Sequence, residues 1–396
     1  MQSPRITSVD IYDIDYRHLK RPHNFIVARV WTDEGLYGIG EVSMIYGDGA
    51  KGAAANLRHL AAKYLIGEPA DNRNRLWDEV RRQSFWHCGG GGEFWGAVSA
   101  LDEALWDLEG KRLGLPVHAL LGGKIRDELE IYANGWYGSA VRPEEFAIAA
   151  EKTVSLGYRA LKFDPFRMTA NGRMAFPDRE LDADFGRLGL ARVAAVRKAV
   201  GPDVKLMLDL HGMLGINAAV YWGNKLAEYD LFFYEDPIET RHHEHFAEVT
   251  RRIPVRVACG DRLYTRTDVL PYLEAKAVHV LQSDVGLASG FSETFRIATM
   301  ADAFDVQIAL HNCAGPINTA ASVQLSAAIP NFLIQEFFPF WTDDRYKIVN
   351  EALELTEKPP YCRVPDKPGI GVTLNEEYVK PWLWCTVNEV AGRTTA

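Results

Sequence analysis

Cysteine is scarce in this 396-residue chain: five residues, Cys88, Cys259, Cys313, Cys362 and Cys385, scattered and never spaced as Cys-x-x-Cys. That spacing argues against a disulfide framework or a zinc knuckle and points to a reducing compartment, with the cytoplasm as the expected location. Runs of one charge are also missing. Lys and Arg (44) are outnumbered by Asp and Glu (53), the net charge is −9, and no Lys/Arg run exceeds a pair. Such a chain is a poor nucleic-acid binder. No stretch reaches eighteen apolar residues, and the polar opening MQSPRITSVD lacks a signal-peptide core, so no membrane partner is expected. No Gly-x-Gly-x-x-Gly follows an early strand, and the glycines at 89–92 follow Trp-His-Cys and read as a loop, not a phosphate cradle. What is there is ordinary for a globular protein, 47% hydrophobic, 24% charged and 11% aromatic, with a length that fits two or three domains, or one large barrel plus an accessory domain.

Two textures divide the chain. Residues 1–125 read as a small α+β domain. A hairpin of Asn24–Trp31 and Leu36–Val42 turns at Thr32-Asp33-Glu34-Gly35. A helix then follows, with Phe94, Val98, Leu101, Leu105 and Leu108 on one face and Gly114 and Pro116 at its end. From 126 to 364, short apolar runs ending in polar residues alternate with helix-compatible segments: 160–164, 204–209, 231–235, 255–258, 279–282, 306–310 and 332–334. Strands alternating with helices imply βα units and a parallel sheet. Asp209, Glu235, Asp261, Asp284, His311 and Glu336 follow one another at 26, 26, 23, 27 and 25 residues, about one βα unit each. In a (β/α) barrel these strand ends share one mouth, where active sites of that fold lie. An open doubly wound sheet is the alternative. The segment from 365 to 396 breaks the rhythm and leaves the barrel.

Three carboxylates at neighbouring strand ends, Asp209, Glu235 and Asp261, resist ionising together unless a cation lies between them. Oxygen donors without cysteine suit Mg²⁺, with Mn²⁺ as a substitute. Any one of these acids alone is better read as capping the following helix or pairing with an arginine such as Arg262; three in register favour the metal. His211 lies two residues past Asp209, on the same strand face. His311, one strand beyond Asp284, fits a general base whose ring a carboxylate orients. Lys162 would point inward with Asp164, either as an ion-pair partner or against a substrate carboxylate. His242, His243 and His245 read as solvated side chains. A cation, a lysine and a His–Asp pair at one mouth suit proton abstraction next to a carboxylate. A second acid facing a β-hydroxyl gives dehydration, and a second base on the opposite face gives epimerisation.

These residues resemble the enolase superfamily, of the mandelate racemase and muconate lactonizing enzyme type, over almost the whole chain. Gly-Ile-Gly-Glu (38–41), Ala-Leu-Asp-Glu-Ala-Leu-Trp-Asp-Leu (100–108) and Leu-Leu-Gly-Gly (120–123) resemble its capping domain. Leu-Asp-Leu-His-Gly (208–212), Tyr-Glu-Asp-Pro (234–237), Gly-Asp-Arg-Leu (260–263), Gln-Ser-Asp-Val (282–285) and Leu-His-Asn (310–312) resemble its barrel-strand signatures. Lys-Pro-Gly-Ile-Gly (367–371) resembles the segment returning to the cap.

The resemblance implies an α/β fold: a modified (β/α)7β TIM-type barrel with an α+β capping domain that the C-terminal segment completes. It also implies Asp209, Glu235 and Asp261 as Mg²⁺ ligands, Asp284 and His311 as the catalytic dyad, and Glu336 near the substrate carboxylate. Asp-x-His at 209 and 211 is similar to galactonate-type dehydratases, which makes His211 the acid on the leaving hydroxyl. Residues 132–137 and 160–166 look most like gluconate dehydratase-type members. The racemase pattern Lys-x-Lys is here Lys162-Phe163-Asp164, which removes a base from the opposite face, and the third ligand is Asp where sugar-acid dehydratases more often carry Glu. The expected enzyme is an Mg²⁺-dependent acid-sugar dehydratase, a hydro-lyase and homo-oligomer acting on a small acid sugar. Lys162 and Glu336 would hold the carboxylate end, and Asp164, Tyr46, His23 and Trp86 are further substrate-binding candidates. An epimerase or lactone cycloisomerase, or a non-catalytic metal-binding relative, are the alternatives.

Overall fold

The computed structural model describes residues 3–16, 24–43, 49–87, 90–175, 179–340, 343–356 and 360–389. Strands β1 (Ile6–Asp15), β2 (Asn24–Thr32) and β3 (Tyr37–Val42) form an antiparallel sheet, with the expected hairpin turn made at Gly35, whose φ is +75°. Helices α1 (Gly49–Leu60), α2 (Arg73–Gln83) and α3 (Gly92–Leu113) pack on it around a core of its own. The glycine run read as a loop leads into a helix: Gly90 and Gly91 are non-helical, Gly91 is the N-cap of α3, and Gly92 is its first residue.

The Gly-Ile-Gly-Glu segment earns its glycines by contact. A Cβ at Gly38 or Gly40 would collide with the carbonyl oxygens of Ala104 or Ala100, so α3 lies directly on β3. Buried acids of α3 then hold the neighbouring backbone. Glu103 accepts from Glu41 N at 2.9 Å, and Asp107 accepts from Ile39 N and Ile370 N, each at 2.9 Å.

After α4 (Val117–Leu120), eight parallel strands follow in turn: β4 (Glu128–Ala133), β5 (Ala160–Phe163), β6 (Lys205–Asp209), β7 (Leu231–Glu235), β8 (Val257–Cys259), β9 (Val280–Leu281), β10 (Gln307–Ile308) and β11 (Gln335–Phe337). Each lies beside the next, and β11 pairs with β4. A parallel bridge from Ile308 to Phe332 closes the remaining gap. Helices α5 (Pro143–Ser155), α6 (Ala183–Val200), α7 (Ile216–Leu226), α8 (His243–Arg252), α9 (Arg266–Glu274), α10 (Gly290–Asp302) and α11 (Pro316–Ala328) alternate with the strands, giving a (β/α)7β barrel. The strand expected at 332–334 is displaced to 335–337, because β10 takes its beginning and β4 its end.

Short helix α12 (Asp343–Tyr346) precedes β12 (Tyr361–Arg363), which pairs antiparallel with β4. Beyond α13 (Glu376–Val379), strand β13 (Leu383–Val387) joins the first sheet beside β1. The barrel axis is filled by Tyr132, Ala160, Met207, Phe233, Ala258, Val280, Ala309 and Ile334. It is a packed floor, not a pore.

Candidate active site

The floor explains the mouth. Side chains along a strand alternate, so the residue two positions beyond an inward one also faces inward. Two past Ala160 is Lys162, and the same step takes Met207 to Asp209, Phe233 to Glu235, Val280 to Gln282, Ala309 to His311 and Ile334 to Glu336. The polar layer is therefore set by the apolar one beneath it.

At its centre stands Lys162, 1% exposed. Its Nζ lies 2.7 and 2.9 Å from the two oxygens of Glu235, 2.9 Å from Glu336 Oε1 and 3.6 Å from Asp209 Oδ2. Burial opposes its charge, yet Glu235 and Glu336 hold its pKa well above the usual lysine value. Burial, then Asp209, pushes the Glu235 carboxyl well up. In Asp209 burial is outweighed by His211 and Lys162, which hold the carboxyl down. Glu336 is likewise lowered against burial by Lys162 and His311.

Two histidines flank this cluster, each on a buried carboxylate. His311 Nδ1 lies 2.6 Å from Asp284 Oδ2, and His211 Nδ1 lies 2.9 Å from Asp164 Oδ2. Against burial, hydrogen bonding to Asp284 and the charge of Glu336 raise His311 to about 10. Against burial, Asp209 and Asp164 raise His211 to about 9. His211 sits in left-handed backbone, φ +52°, with its N–H donating to Asp209 Oδ1 at 3.0 Å. That turn carries the chain off β6 while keeping the ring at the mouth. Asp164, named from the sequence as a substrate contact, also accepts from Phe166 N at 2.8 Å and is 1% exposed, so its two oxygens are engaged in holding the loop and His211.

The three acids expected to hold a cation are not equally placed. Asp209 and Glu235 are direct neighbours in the parallel register. Asp261 is out of step, because Gly260 (φ +148°) breaks the alternation after β8. Its Oδ1 is buried without a hydrogen-bond partner, 3.6 Å from Arg262 Nε. Among the described residues no three His, Cys, Asp or Glu side chains form a ready cage. The donor set still suits a hard cation: carboxylate oxygens throughout, one of them orphaned. Arg262 is meanwhile drawn 2.5 Å from Asp236 Oδ2.

Several groups here lie in the quoted segments, but the sequence alone assigns them no role. Gln282 donates to Glu235 Oε2 at 2.6 Å, Asn134 to Glu336 Oε1 at 2.7 Å, and Asn312 N to Glu336 Oε2 at 2.8 Å. Alternation beyond Val280 was the one clue to Gln282. Trp86 is 89% exposed and stands edge-on to Phe85 on the surface next to α2, at a three-residue 3₁₀ turn (Phe85–His87). His23 and Tyr46 lie outside the described residues. Beside His211 a cleft of about 780 Å³ opens, lined by Arg179, Gly212, Asn217, Glu239 and Arg241 among others. No helix among the described residues is long and apolar enough to cross a membrane.

Known proteins share this fold. Residues 17–122 match the mandelate racemase / muconate lactonizing enzyme N-terminal domain, and 145–378 match the enolase C-terminal domain-like family. A D-gluconate dehydratase of Thermoproteus tenax is 34% identical over 90% of this chain and 69% of its own. A D-galactonate dehydratase of Verminephrobacter eiseniae is 33% identical over 90% of this chain and 91% of its own. A crystal structure of a member of the enolase superfamily from Salmonella Typhimurium superposes with a TM-score of 0.91 at 34% identity, covering 97% of this chain and all of the other. The chain belongs to the mandelate racemase/muconate lactonizing enzyme type of the enolase superfamily, among its hydro-lyases.

Proposed function

We propose that this enzyme dehydrates a sugar acid of the aldonate class. The observation that carries the reading is the pair of histidines, each fixed by a buried carboxylate, on either side of the Lys162 cluster. His311, oriented by Asp284, takes the proton from the carbon next to the substrate carboxylate. His211, oriented by Asp164, gives a proton to the β-hydroxyl as the carbon–oxygen bond breaks. Water leaves, and the enol that remains becomes a 2-keto-3-deoxy acid. Lys162 and Glu336 position the carboxylate end, and Asp164 stands where a second base would be needed for epimerisation.

Asp209, Glu235 and Asp261 would hold the divalent cation, Mg²⁺ or in its place Mn²⁺. Bound there, it would acidify the α-proton, and its charge would favour neutral His311. Against burial, Asp209 and then Asp164 raise His211 to about 9, towards the protonated form a general acid needs; a cation on Asp209 would weaken the first influence and leave that of Asp164.

The test is proton NMR in D₂O with Mg²⁺ against aldonates, aldarates and their lactones, with EDTA and His311→Ala as controls. A new C3 methylene signal that requires Mg²⁺ supports dehydration. Exchange at Cα without loss of water would move the assignment to an epimerase, and silence throughout would remove sugar acids from consideration.

A further inference from the structure

We propose that Ser43, the residue just past β3 of the capping domain, is a positioning residue for His311. The inference rests on the reading of His311 as the base and extends it across the seam between the two parts of the molecule. Ser43 is buried, and its Oγ donates to Asp284 Oδ2 at 2.6 Å. The same oxygen receives His311 Nδ1, also at 2.6 Å. The other oxygen, Oδ1, takes Gly286 N at 2.8 Å and Asn318 Nδ2 at 3.1 Å. Of these four donors three come from the barrel, and only Ser43 comes from the cap.

The approach is built into the backbone as well. Ser43 N donates to Gly286 O at 3.2 Å. A Cβ at Gly286 would fall 2.7 Å from Ser43 Cβ and 2.8 Å from Asn318 Oδ1, so only glycine lets both partners of Asp284 come this close. A carboxylate with one oxygen shared between a hydroxyl and an imidazole N–H cannot rotate without breaking both bonds. The plane of Asp284, and through it the ring of His311, is therefore fixed by a side chain of the covering domain. Withdrawing the end of β3 from the mouth removes this restraint, so the base is fully aligned only when the cap is seated.

Three variants and two measurements test this. Ser43→Ala should lower kcat about ten- to hundredfold, the usual worth of a hydrogen bond to a charged group, while KM stays within about twofold. Ser43→Thr, which keeps the hydroxyl on the same Cβ, should recover most of the loss. Independently of turnover, the downfield Nδ1–H proton of His311, identified by its absence in His311→Ala, should shift in Ser43→Ala and return in Ser43→Thr. An unmoved resonance in Ser43→Ala, or a threonine variant as impaired as the alanine one, overturns the proposal. If the wild-type protein turned over no sugar acid, the dehydratase reading would fail, and the resonance alone would still decide the role of Ser43.

Discussion

Asp164 Oδ2 lies 2.9 Å from His211 Nδ1, so the second histidine of the mouth is held by an aspartate from the strand next to its own. The two His–Asp pairs have similar geometry but separate duties under the proposed chemistry, and a mutation can part them. Asp164→Asn leaves His311 untouched and loosens the ring and tautomer of His211. Exchange of the α-proton with solvent should persist, while water elimination falls about 10²–10⁴-fold. Parallel measurement of deuterium uptake and keto-acid formation reads both; equal loss of the two would mean that Asp164 does not act through His211.

His311→Ala has the opposite signature. Exchange and elimination should fall together, again by about 10²–10⁴-fold, because no enol forms without the base. Full turnover in this variant would reassign the base.

Lys162 can be tested without any substrate. Lys162→Met leaves Glu235, Glu336 and Asp209 facing one another in a buried layer, and losing the ion-pair partner should cost about 3–5 kcal/mol of stability in EDTA. A cation held by the same acids would offset part of that repulsion. Mg²⁺ should therefore raise the melting temperature more in the variant than in the wild type, as scanning calorimetry with and without Mg²⁺ would show. Equal Mg²⁺ shifts in the two proteins would place the ion elsewhere.

Acid titration should report on the seam between cap and barrel. Glu41 of β3 accepts from Gly315, Ile317 and Asn318 N–H groups at the start of α11, yet burial exceeds these bonds and lifts its carboxyl to about 7. Burial lifts Asp102 of α3, bonded to Ser292, to about 6. For an acid raised on folding, the folded chain keeps a proton that the unfolded chain releases, so stability is highest below the unfolded pKa and falls as pH rises. Between about pH 4.5 and 7, Glu41 alone should contribute a decline on the order of 3 kcal/mol. Urea unfolding across that range, compared with Glu41→Gln, isolates it: a wild-type profile no steeper than that of the variant would show that Glu41 folds ionised.

The barrel was legible because its floor and its mouth obey one alternation. Met207 and Asp209, or Phe233 and Glu235, declare both the strand and the direction of its polar end. Where the alternation breaks, spacing alone does not give the side chain's direction. Gly260 turns Asp261 out of step with Glu235, a local backbone conformation that spacing does not encode. Strand β4 lacks the continuous apolar run of the others because Glu128 and Glu130 alternate with Leu129 and Ile131, and it gains its place from β11 and β12, far along the chain. Gln282, Asn134 and Ser43 are uncharged, and each becomes meaningful only through the carboxylate it reaches.

The pairing of β13 with β1 sets Val387 opposite Val9. A ribosome releases the first of these residues long before the second, so the nascent β1 leaves the tunnel with one edge unpaired and keeps it so while all eight barrel strands are made. The barrel has its whole sequence available first, and the sheet that seats Ser43 over the base is finished last. Vectorial synthesis thus makes the strand that leads to Ser43 first, the catalytic layer next, and the strand that completes the sheet beneath Ser43 last.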